Sequence, residues 1–156
     1  MKSPYKLRAK DVMTRDVVTV HPDDKVQEAL ALMIENRVST LPVIDSHHRC
    51  VGILSTSDLL ELTKELDDEL MGMDAVSPMS REWLLEQLGD GIGTQLVSEQ
   101  MTADVEVVGI EAPLVSAAQL MLRNRVHHVP VVDGEQRLQG ILSTMDILRA
   151  FAEGGE

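Results

Sequence analysis

The pentapeptide Gly52-Ile53-Leu54-Ser55-Thr56 occurs twice in this chain, the second time unchanged as Gly140-Ile141-Leu142-Ser143-Thr144. The two copies are 88 positions apart, and the same offset pairs residues 11–60 with residues 99–148 without a gap. About 22 of these 50 pairs are identical, whereas unrelated segments would share only a few. The chain is therefore an internal duplication, and its fold follows from the duplicated unit.

Three further motifs recur at the same offset. They are Met13-Thr14 with Met101-Thr102, Asn36-Arg37-Val38 with Asn124-Arg125-Val126, and Leu41-Pro42-Val43-Ile44-Asp45 with Val129-Pro130-Val131-Val132-Asp133. An aspartate, Asp58 or Asp146, also stands two residues after each pentapeptide. We therefore divide the sequence into repeat 1 (11–65), a connecting segment (66–98) and repeat 2 (99–153).

Each repeat carries the signals of three strands and two helices. β-branched runs predict a first strand at 16–20 and 104–108, and apolar runs separated by turn residues predict hairpins at 41–54 and 129–142. A first helix, with Asp23 or Asp24 as its N-cap in repeat 1, is expected to bury a stripe at helical spacing. The stripe comprises Val26, Ala29, Leu30, Met33 and Ile34 in repeat 1, and Leu114, Ala117, Ala118, Met121 and Leu122 in repeat 2. A second helix at 59–65 and 147–153 completes a β-α-β-β-α unit, so the fold class is α+β (α/β).

Composition limits the class of protein. A chain of 156 residues with 44% apolar and 26% charged residues is globular, and two small units are expected to share one core across a pseudo-twofold axis. The net charge of −12 argues against nucleic acid as a main partner. No apolar run is long enough for a membrane span, and the basic N-terminus lacks a following apolar segment, so we expect a cytoplasmic protein.

The connecting segment 66–98 leaves two interpretations open. Its beginning is acidic, and a short capped helix is predicted at 80–88. It is either a solvated connector with one helix on the core or a segment that faces a partner, since Trp83 is the single tryptophan.

The segments Gly52–Asp58 and Gly140–Asp146 stand where a strand ends and a helix begins. A helix N-terminus exposes N–H groups that bind phosphate oxygens, hydroxyl side chains add donors, and an aspartate one turn in can accept hydrogen bonds from a ribose diol. The same Ser-x-x-Asp pattern also matches a capping box, which needs no ligand. One helix start can serve both purposes, and the sequence does not separate them.

The complete pattern resembles a tandem pair of CBS domains, also called a Bateman module. The resemblance covers about 11–65 and 99–153. It rests on the Met-Thr pair, the amphipathic helix, Arg-Val before the Pro-Val strand, and Gly-Ile-Leu-Ser-x-x-Asp, all present twice in register. It implies sheets that pack together with helices outside, two related clefts, and association into a homodimer.

The resemblance also implies roles for individual residues. Asp58 and Asp146 are similar to the ribose-binding acids of the family. The implied phosphate-side residues are Ser39, Thr40, Ser55, Thr56 and Ser57 in repeat 1, and His127, His128, Ser143 and Thr144 in repeat 2. The implied adenine edge is Val18, Thr19, Val20 and Pro42 in repeat 1, and Glu106, Val107, Val108 and Pro130 in repeat 2. Aliphatic side chains suit a purine site in a chain with few aromatic residues.

Differences between the repeats predict unequal sites. Ser57 is matched by Met145, so only the first Gly-to-Asp motif has the additional hydroxyl. A phosphate beside His127 and His128 would favour their protonated forms and make binding sensitive to pH near neutrality. The alternative for these two histidines is that one packs and the other is solvated.

The function implied by the resemblance is a regulatory module that binds AMP, ADP, ATP or S-adenosylmethionine between the repeats and signals to a protein partner of unknown identity. Mg²⁺ could accompany a nucleotide, but no required cofactor, protein-bound metal or catalytic residue is expected. The sequence shows no familiar catalytic motif, and we expect no enzyme. The alternative is a ligand-free dimerisation or interaction scaffold, which the charge of −12 favours because it opposes an anionic ligand.

Overall fold

The computed structural model describes residues 3–60 and 94–154, and its mixture of helices and strands confirms the α+β class. Up to residue 60 it contains a 3-10 turn (Pro4–Lys6), α1 (Ala9–Val12), α2 (Val26–Asn36), β1 (Thr40–Ile44), β2 (Cys50–Ser55), and a helix α3 with residues 56–60 described. From residue 94 it contains α4 (Val97–Gln100), β3 (Val108–Gly109), α5 (Leu114–Asn124), β4 (His128–Val132), β5 (Leu138–Ser143) and α6 (Thr144–Glu153).

Strand pairing follows the predicted hairpins. β1 and β2 form a two-stranded sheet, while β4 pairs antiparallel with β5 and parallel with β3. An aspartate closes each hairpin turn, and Asp45 Oδ1 accepts the backbone N–H groups of His47 and Arg49 at 2.8 and 2.9 Å. Asp133 accepts the equivalent pair of bonds in the second hairpin. The aspartate that follows each Pro-Val strand is therefore a turn residue.

The chain divides into two compact units that do not coincide with the sequence repeats. The repeat-1 unit comprises Val18–Val43 and Gly52–Ala103, and the repeat-2 unit comprises Met1–Val17, Ile44–Val51 and Asp104–Glu156. The segment that opens each repeat in the sequence therefore belongs to the unit built around the other repeat. The boundaries 11–65, 66–98 and 99–153 describe the duplicated sequence and stay a prediction as domain limits.

We call residues 11–17 and 99–103, which open the repeats but belong to the unit of the other repeat, the exchanged segments. The Met-Thr pair of each exchanged segment is bound to the strand that contains the first four residues of the pentapeptide. In the repeat-2 unit, Thr14 and Ile141 exchange two backbone hydrogen bonds of 2.9 and 3.0 Å. In the repeat-1 unit, Thr102 and Ile53 exchange two of 2.8 and 3.0 Å. The repeated Met-Thr motif is thus explained as an added bridge on the last strand of the opposite repeat.

The glycine of each pentapeptide allows this bridge to form. A Cβ atom on Gly140 would lie 2.7 Å from the sulfur of Met13 and 2.7 Å from the carbonyl oxygen of Thr14. A Cβ atom on Gly52 would lie 2.7 Å from the sulfur of Met101. No other residue type lets the two backbones approach so closely.

The two units use matching positions for their cores. In the repeat-2 unit the core consists of Ala9, Met13, Val108, Leu114, Ala117, Met121, Val129, Val131, Leu142 and Ile147. At the same offset, the repeat-1 unit buries Val20, Val26, Ala29, Met33, Leu41, Val43, Leu54, Leu59 and Val97. The buried helical stripe is therefore confirmed for most of its predicted members.

The beginning of repeat 1 differs from the sequence prediction in two details. Instead of a strand at 16–20, a single parallel bridge joins Val20 to Val43, and β3 in repeat 2 likewise has two residues. The expected N-cap at Asp23 or Asp24 is wrong, because α2 begins at Val26 with Lys25 as its N-cap. Asp24 instead accepts the backbone N–H of His21 at 2.8 Å in the preceding turn.

The assignment of Leu122 to the buried stripe is also wrong, since this residue is 80% exposed. At 3.6 residues a turn, a residue eight positions along a helix lies about 80° away from the first, whereas one seven positions along lies about 20° away. Leu114 and Met121 are accordingly buried, and Leu122 faces outward. Two predicted helical regions, 61–65 and 80–88, lie outside the described residues.

Candidate functional site

Both Gly-to-Asp motifs form a capping box at the start of a helix. At α6, Asp146 Oδ2 accepts the Ser143 backbone N–H at 2.9 Å, and Ser143 Oγ accepts the Asp146 N–H at 3.1 Å. At α3, Asp58 Oδ2 accepts the Ser55 N–H at 2.8 Å and the Ser55 hydroxyl at 3.1 Å. The capping role is therefore present in both repeats, and it uses one oxygen of each carboxylate.

The second oxygen of each carboxylate has a different neighbour in the two repeats. Asp58 Oδ1 accepts a hydrogen bond from the Thr102 hydroxyl at 3.3 Å. Asp146 Oδ1 instead lies 3.8 Å from Nη1 of Arg149, and the Asp146 side chain is 14% exposed. The two acids therefore differ in their surroundings, through residues other than those on which the sequence prediction of unequal sites rests.

The structure brings the residues before each Pro-Val strand together with the helix start. The Thr56 N–H donates to the Ser39 carbonyl at 3.0 Å, and the Thr144 N–H donates to the His127 carbonyl at 3.0 Å. In the second repeat, His128 also pairs with Ser143 in the β4–β5 ladder. Six of the nine predicted phosphate-side residues are therefore paired with another of the set within one unit, namely Ser39 with Thr56, His127 with Thr144, and His128 with Ser143.

The eight residues predicted to form the adenine edge are not equivalent. Val20, Pro42, Val108 and Pro130 are buried, and the Val20 N–H donates to the Pro42 carbonyl at 3.1 Å. Val18, Thr19 and Val107 are half-buried, and Glu106 is exposed. The half-buried and exposed members have side-chain surface left for a ligand, whereas the buried members mainly fill the core.

Around α6, the predicted residues of repeat 2 lie on two sides of the helix. Asp146 and Arg149 line a cavity of about 260 Å³ beside α1. Thr144 and His127 line a larger, mostly apolar groove of about 530 Å³ between α5 and α6. Residues two apart on a helix point about 200° away from each other, so the side chains of Thr144 and Asp146 line two different surfaces beside α6.

Burial lowers the pKa of His128, and the neighbouring His127 lowers it further, while the charge of Asp146 acts in the opposite direction. His128 is half-buried and His127 is exposed, as the alternative of one packed and one solvated histidine predicts. His128 is thus mainly neutral at neutral pH, and the idea that both histidines offer a positive charge to a phosphate is not supported for this residue.

The lowered pKa of His128 predicts a stability that depends on pH. As the pH falls, His128 of the unfolded chain becomes protonated near the ordinary histidine pKa of about 6.5, whereas in the folded chain it becomes protonated only at a lower pH. The free energy of unfolding therefore decreases as the pH falls below about 6.5. We expect His128→Gln to remove part of this acid destabilisation. Urea unfolding between pH 8 and pH 5.5 measures it, and identical slopes for the wild type and the variant would contradict the assignment.

Two residues of the site were not anticipated from the sequence. Thr102 was recognised as part of a repeated motif, but nothing in a linear pattern shows that its hydroxyl reaches Asp58. Arg149 stands one turn after Asp146, a spacing at which helical side chains meet, and that spacing could have identified it.

The described ranges contain no group of three or more His, Cys, Asp or Glu side chains placed to hold a metal ion. In the same ranges, no helix combines the length and the apolar character needed to cross a bilayer.

The family model described as CBS domain matches the chain twice, over residues 9–65 and 95–153. Inosine-5'-monophosphate dehydrogenase of Methanocaldococcus jannaschii is 33% identical over 142 residues, which are 91% of this chain and 23% of the enzyme. The chloroplastic CBS domain-containing protein CBSX2 of Arabidopsis thaliana is 33% identical over 146 residues, which are 90% of this chain and 61% of that protein. The chain thus spans less than two thirds of both relatives.

Solved structures of CBS proteins are similar to this chain over nearly its whole length. CBSX2 in complex with AMP superposes with a TM-score of 0.73 at 30% identity, covering 96% of this chain and 98% of that one. The CBS domain pair of protein MJ0100, in complex with 5-methylthioadenosine and S-adenosyl-L-methionine, superposes with a TM-score of 0.71 at 23% identity, covering 93% of this chain and 99% of that one. Because its sequence identity is only 23%, the MJ0100 pair shows a similar fold and nothing more.

Proposed function

The chain belongs to the CBS domain family, of which it contains a tandem pair, and we propose that it is a regulatory module that binds an adenosine-containing ligand. The observation that carries the proposal is a pair of helix starts, one at Asp58 and one at Asp146. At each of them a serine binds Oδ2 of the aspartate, and Oδ1 is not part of the cap. In this proposal each aspartate accepts a hydrogen bond from a ribose hydroxyl, as acids do in dinucleotide sites.

AMP is the first ligand to test. The complex of CBSX2 with AMP supports it, since the chain in that structure is 30% identical to this one and is covered over 98% of its length. The net charge of −12 opposes a phosphate, so ADP and ATP would depend more strongly on Mg²⁺. S-adenosylmethionine carries the same ribose without that electrostatic penalty and is the second ligand to test.

The ligand would act by binding two conformations of the protein with different affinity. A ligand shifts such an equilibrium only by its difference in affinity between the two states. We therefore propose that the module signals the presence of its ligand to a partner protein.

Calorimetric titration of the full chain with AMP, ADP, ATP and S-adenosylmethionine tests this function. We expect saturable heat with AMP and a stoichiometry of no more than two ligands per chain. Nucleotides that lack adenine, such as CMP, serve as the control and should give no saturable heat. Absence of saturable heat with all four adenosine ligands at millimolar concentration would overturn the proposal and favour a ligand-free scaffold.

We further propose that the module forms a homodimer through the groove between α5 and α6. This groove is lined by Ala118, Met121, Val126 and Ile147 and flanked by Leu122 and Leu148, which are 80% and 61% exposed. The same surface thus carries both a groove and projecting leucines. Such a surface is suited to a twofold contact, in which each copy inserts into the other.

If this groove forms the dimer interface, substitutions on it should halve the mass of the protein in solution. Leu122→Asp and Leu148→Asp place a charge on the apolar surface and are expected to convert the dimer into a monomer in sedimentation equilibrium. Val38→Asp is the control, because Val38 is an exposed apolar residue of the other repeat at the position that matches Val126. A wild-type monomer, or a dimer that both leucine variants preserve, would contradict this interface.

A further inference from the structure

We propose that Thr102 is a positioning residue for the Asp58 carboxylate and that it makes the Asp58 site the first of the two to bind ligand. This inference rests on the proposed function and extends it to the order in which the sites fill. Thr102 belongs to the motif that opens repeat 2, yet it is part of the repeat-1 unit together with Asp58.

The backbone of Thr102 is fixed on both sides. Its N–H donates to the Ile53 carbonyl at 2.8 Å, and its carbonyl accepts the Ile53 N–H at 3.0 Å. Gly52 leaves so little space that an added Cβ would lie 2.9 Å from the Thr102 carbonyl oxygen. The threonine hydroxyl therefore starts from a backbone position set by the last strand of repeat 1, the strand that leads into the site.

Counting acceptor positions shows what the hydroxyl does for Asp58. A carboxylate offers about four lone-pair positions, two on each oxygen. Oδ2 uses two of them for the N–H and the hydroxyl of Ser55, and Oδ1 uses one for the hydroxyl of Thr102. Counting only the described residues, one position is left, on Oδ1, and three donors orient the carboxylate that carries it.

The carboxylate of Asp146 has different hydrogen-bond partners. Within the described residues its Oδ2 accepts the Ser143 N–H, no threonine hydroxyl reaches it, and its Oδ1 faces the charge of Arg149 at 3.8 Å. Thr14, the residue that matches Thr102, makes the same backbone bridge, to Ile141, without a hydrogen bond to the acid. A ribose hydroxyl at Asp146 must therefore compete with a cation, whereas at Asp58 it meets a carboxylate that is already oriented.

The test compares Thr102→Val, which removes the hydroxyl and keeps the shape, with Thr102→Ser, which retains the hydroxyl, and with Thr14→Val as the matched control. Each full-length variant is titrated with AMP and with 2′,3′-dideoxy-AMP, which lacks both ribose hydroxyls. We expect Thr102→Val to weaken the tighter AMP site about 10-fold, because an Asp58 carboxylate that is no longer oriented loses much of its charge-assisted hydrogen bond to the ribose. Thr102→Ser and Thr14→Val should stay within about twofold of the wild type.

The dideoxy ligand separates positioning from a merely structural effect. Because it makes no hydrogen bond to Asp58, its affinity should be the same for the wild type and for Thr102→Val. The inference is overturned if Thr102→Val binds AMP like the wild type, if it loses both ligands equally, or if Thr14→Val has the larger effect. A wild type that binds no adenosine ligand overturns the proposed function and this inference together, whereas a binding wild type with an unaffected Thr102→Val overturns this inference alone.

Discussion

Gly140→Ala is expected to lower the free energy of unfolding by about 3 kcal/mol, at the upper end for overpacking a tight contact. The new Cβ would lie 2.7 Å from both the Met13 sulfur and the Thr14 carbonyl oxygen. The side chain of Met13 can move, but the Thr14 oxygen is backbone and accepts the Ile141 N–H at 3.0 Å, so relief of the clash must break that bridge. Urea unfolding of the full chain measures the loss.

A matched control is available within the same unit. A Cβ on Gly134, in the turn between β4 and β5, would meet nothing within 4 Å, so Gly134→Ala should change the free energy of unfolding by less than about 0.5 kcal/mol. Gly52→Ala, with Met101 and Thr102 as the clashing residues, should resemble Gly140→Ala. Equal stability of the Gly134 and Gly140 variants would contradict the account of the exchanged segments.

Asp58→Ala is expected to weaken the tighter AMP site by about 10- to 100-fold. The substitution removes a charge-assisted hydrogen bond to the ribose, which contributes roughly 1.5–3 kcal/mol. It also removes the capping box at α3, which is expected to reduce stability by about 1 kcal/mol. Calorimetric titration with AMP measures the first effect, and thermal unfolding without ligand measures the second.

Because the same carboxylate serves both cap and ligand, a loss of affinity needs a control for stability. Asp45→Ala removes an aspartate that closes the first hairpin turn through two backbone hydrogen bonds and should also destabilise the protein. It should leave AMP affinity within about twofold of the wild type. If Asp58→Ala and Asp45→Ala weaken AMP binding equally, the effect is one of stability, and the ribose assignment is wrong.

Much of the fold could be predicted from the sequence because the duplication repeats each local signal. The hairpins follow from two apolar runs and an aspartate, and the helical stripe follows from spacing, so both were assigned correctly over most of their length. The first strands are shorter than their β-branched runs predict, because only Val20 pairs in repeat 1 and only Val108 and Gly109 pair in repeat 2. Leu122 was misplaced because a period of 3.6 carries the last position of a stripe off the buried face.

The exchange of segments between the repeats could not be predicted from the sequence. A repeat in the sequence shows that Met13 and Met101 are equivalent, but it does not say which glycine each of them covers. The answer depends on contacts between Met13 and Gly140 and between Met101 and Gly52, which are distant in the chain. For the same reason, Thr102 was missed as a neighbour of Asp58 although both residues stood in motifs that were identified.

The candidate site was predicted as a set of residues and not as a geometry. The serine–aspartate pairs and the backbone contact of Thr144 with His127 lie together as expected. The side chains of Thr144 and Asp146 line different surfaces, because residues two positions apart on a helix point about 200° away from each other. Motif spacing records neighbours along the chain, whereas a ligand contacts neighbours in space.

A crystal structure of the full chain grown with AMP tests the central claim most directly. We predict nucleotide density in which a ribose hydroxyl lies within hydrogen-bond distance of Asp58 Oδ1, with the Thr102 hydroxyl still on the same oxygen. Occupancy at Asp146 is expected to appear only at higher AMP concentration. AMP bound with its ribose in contact with neither Asp58 nor Asp146 would contradict the account.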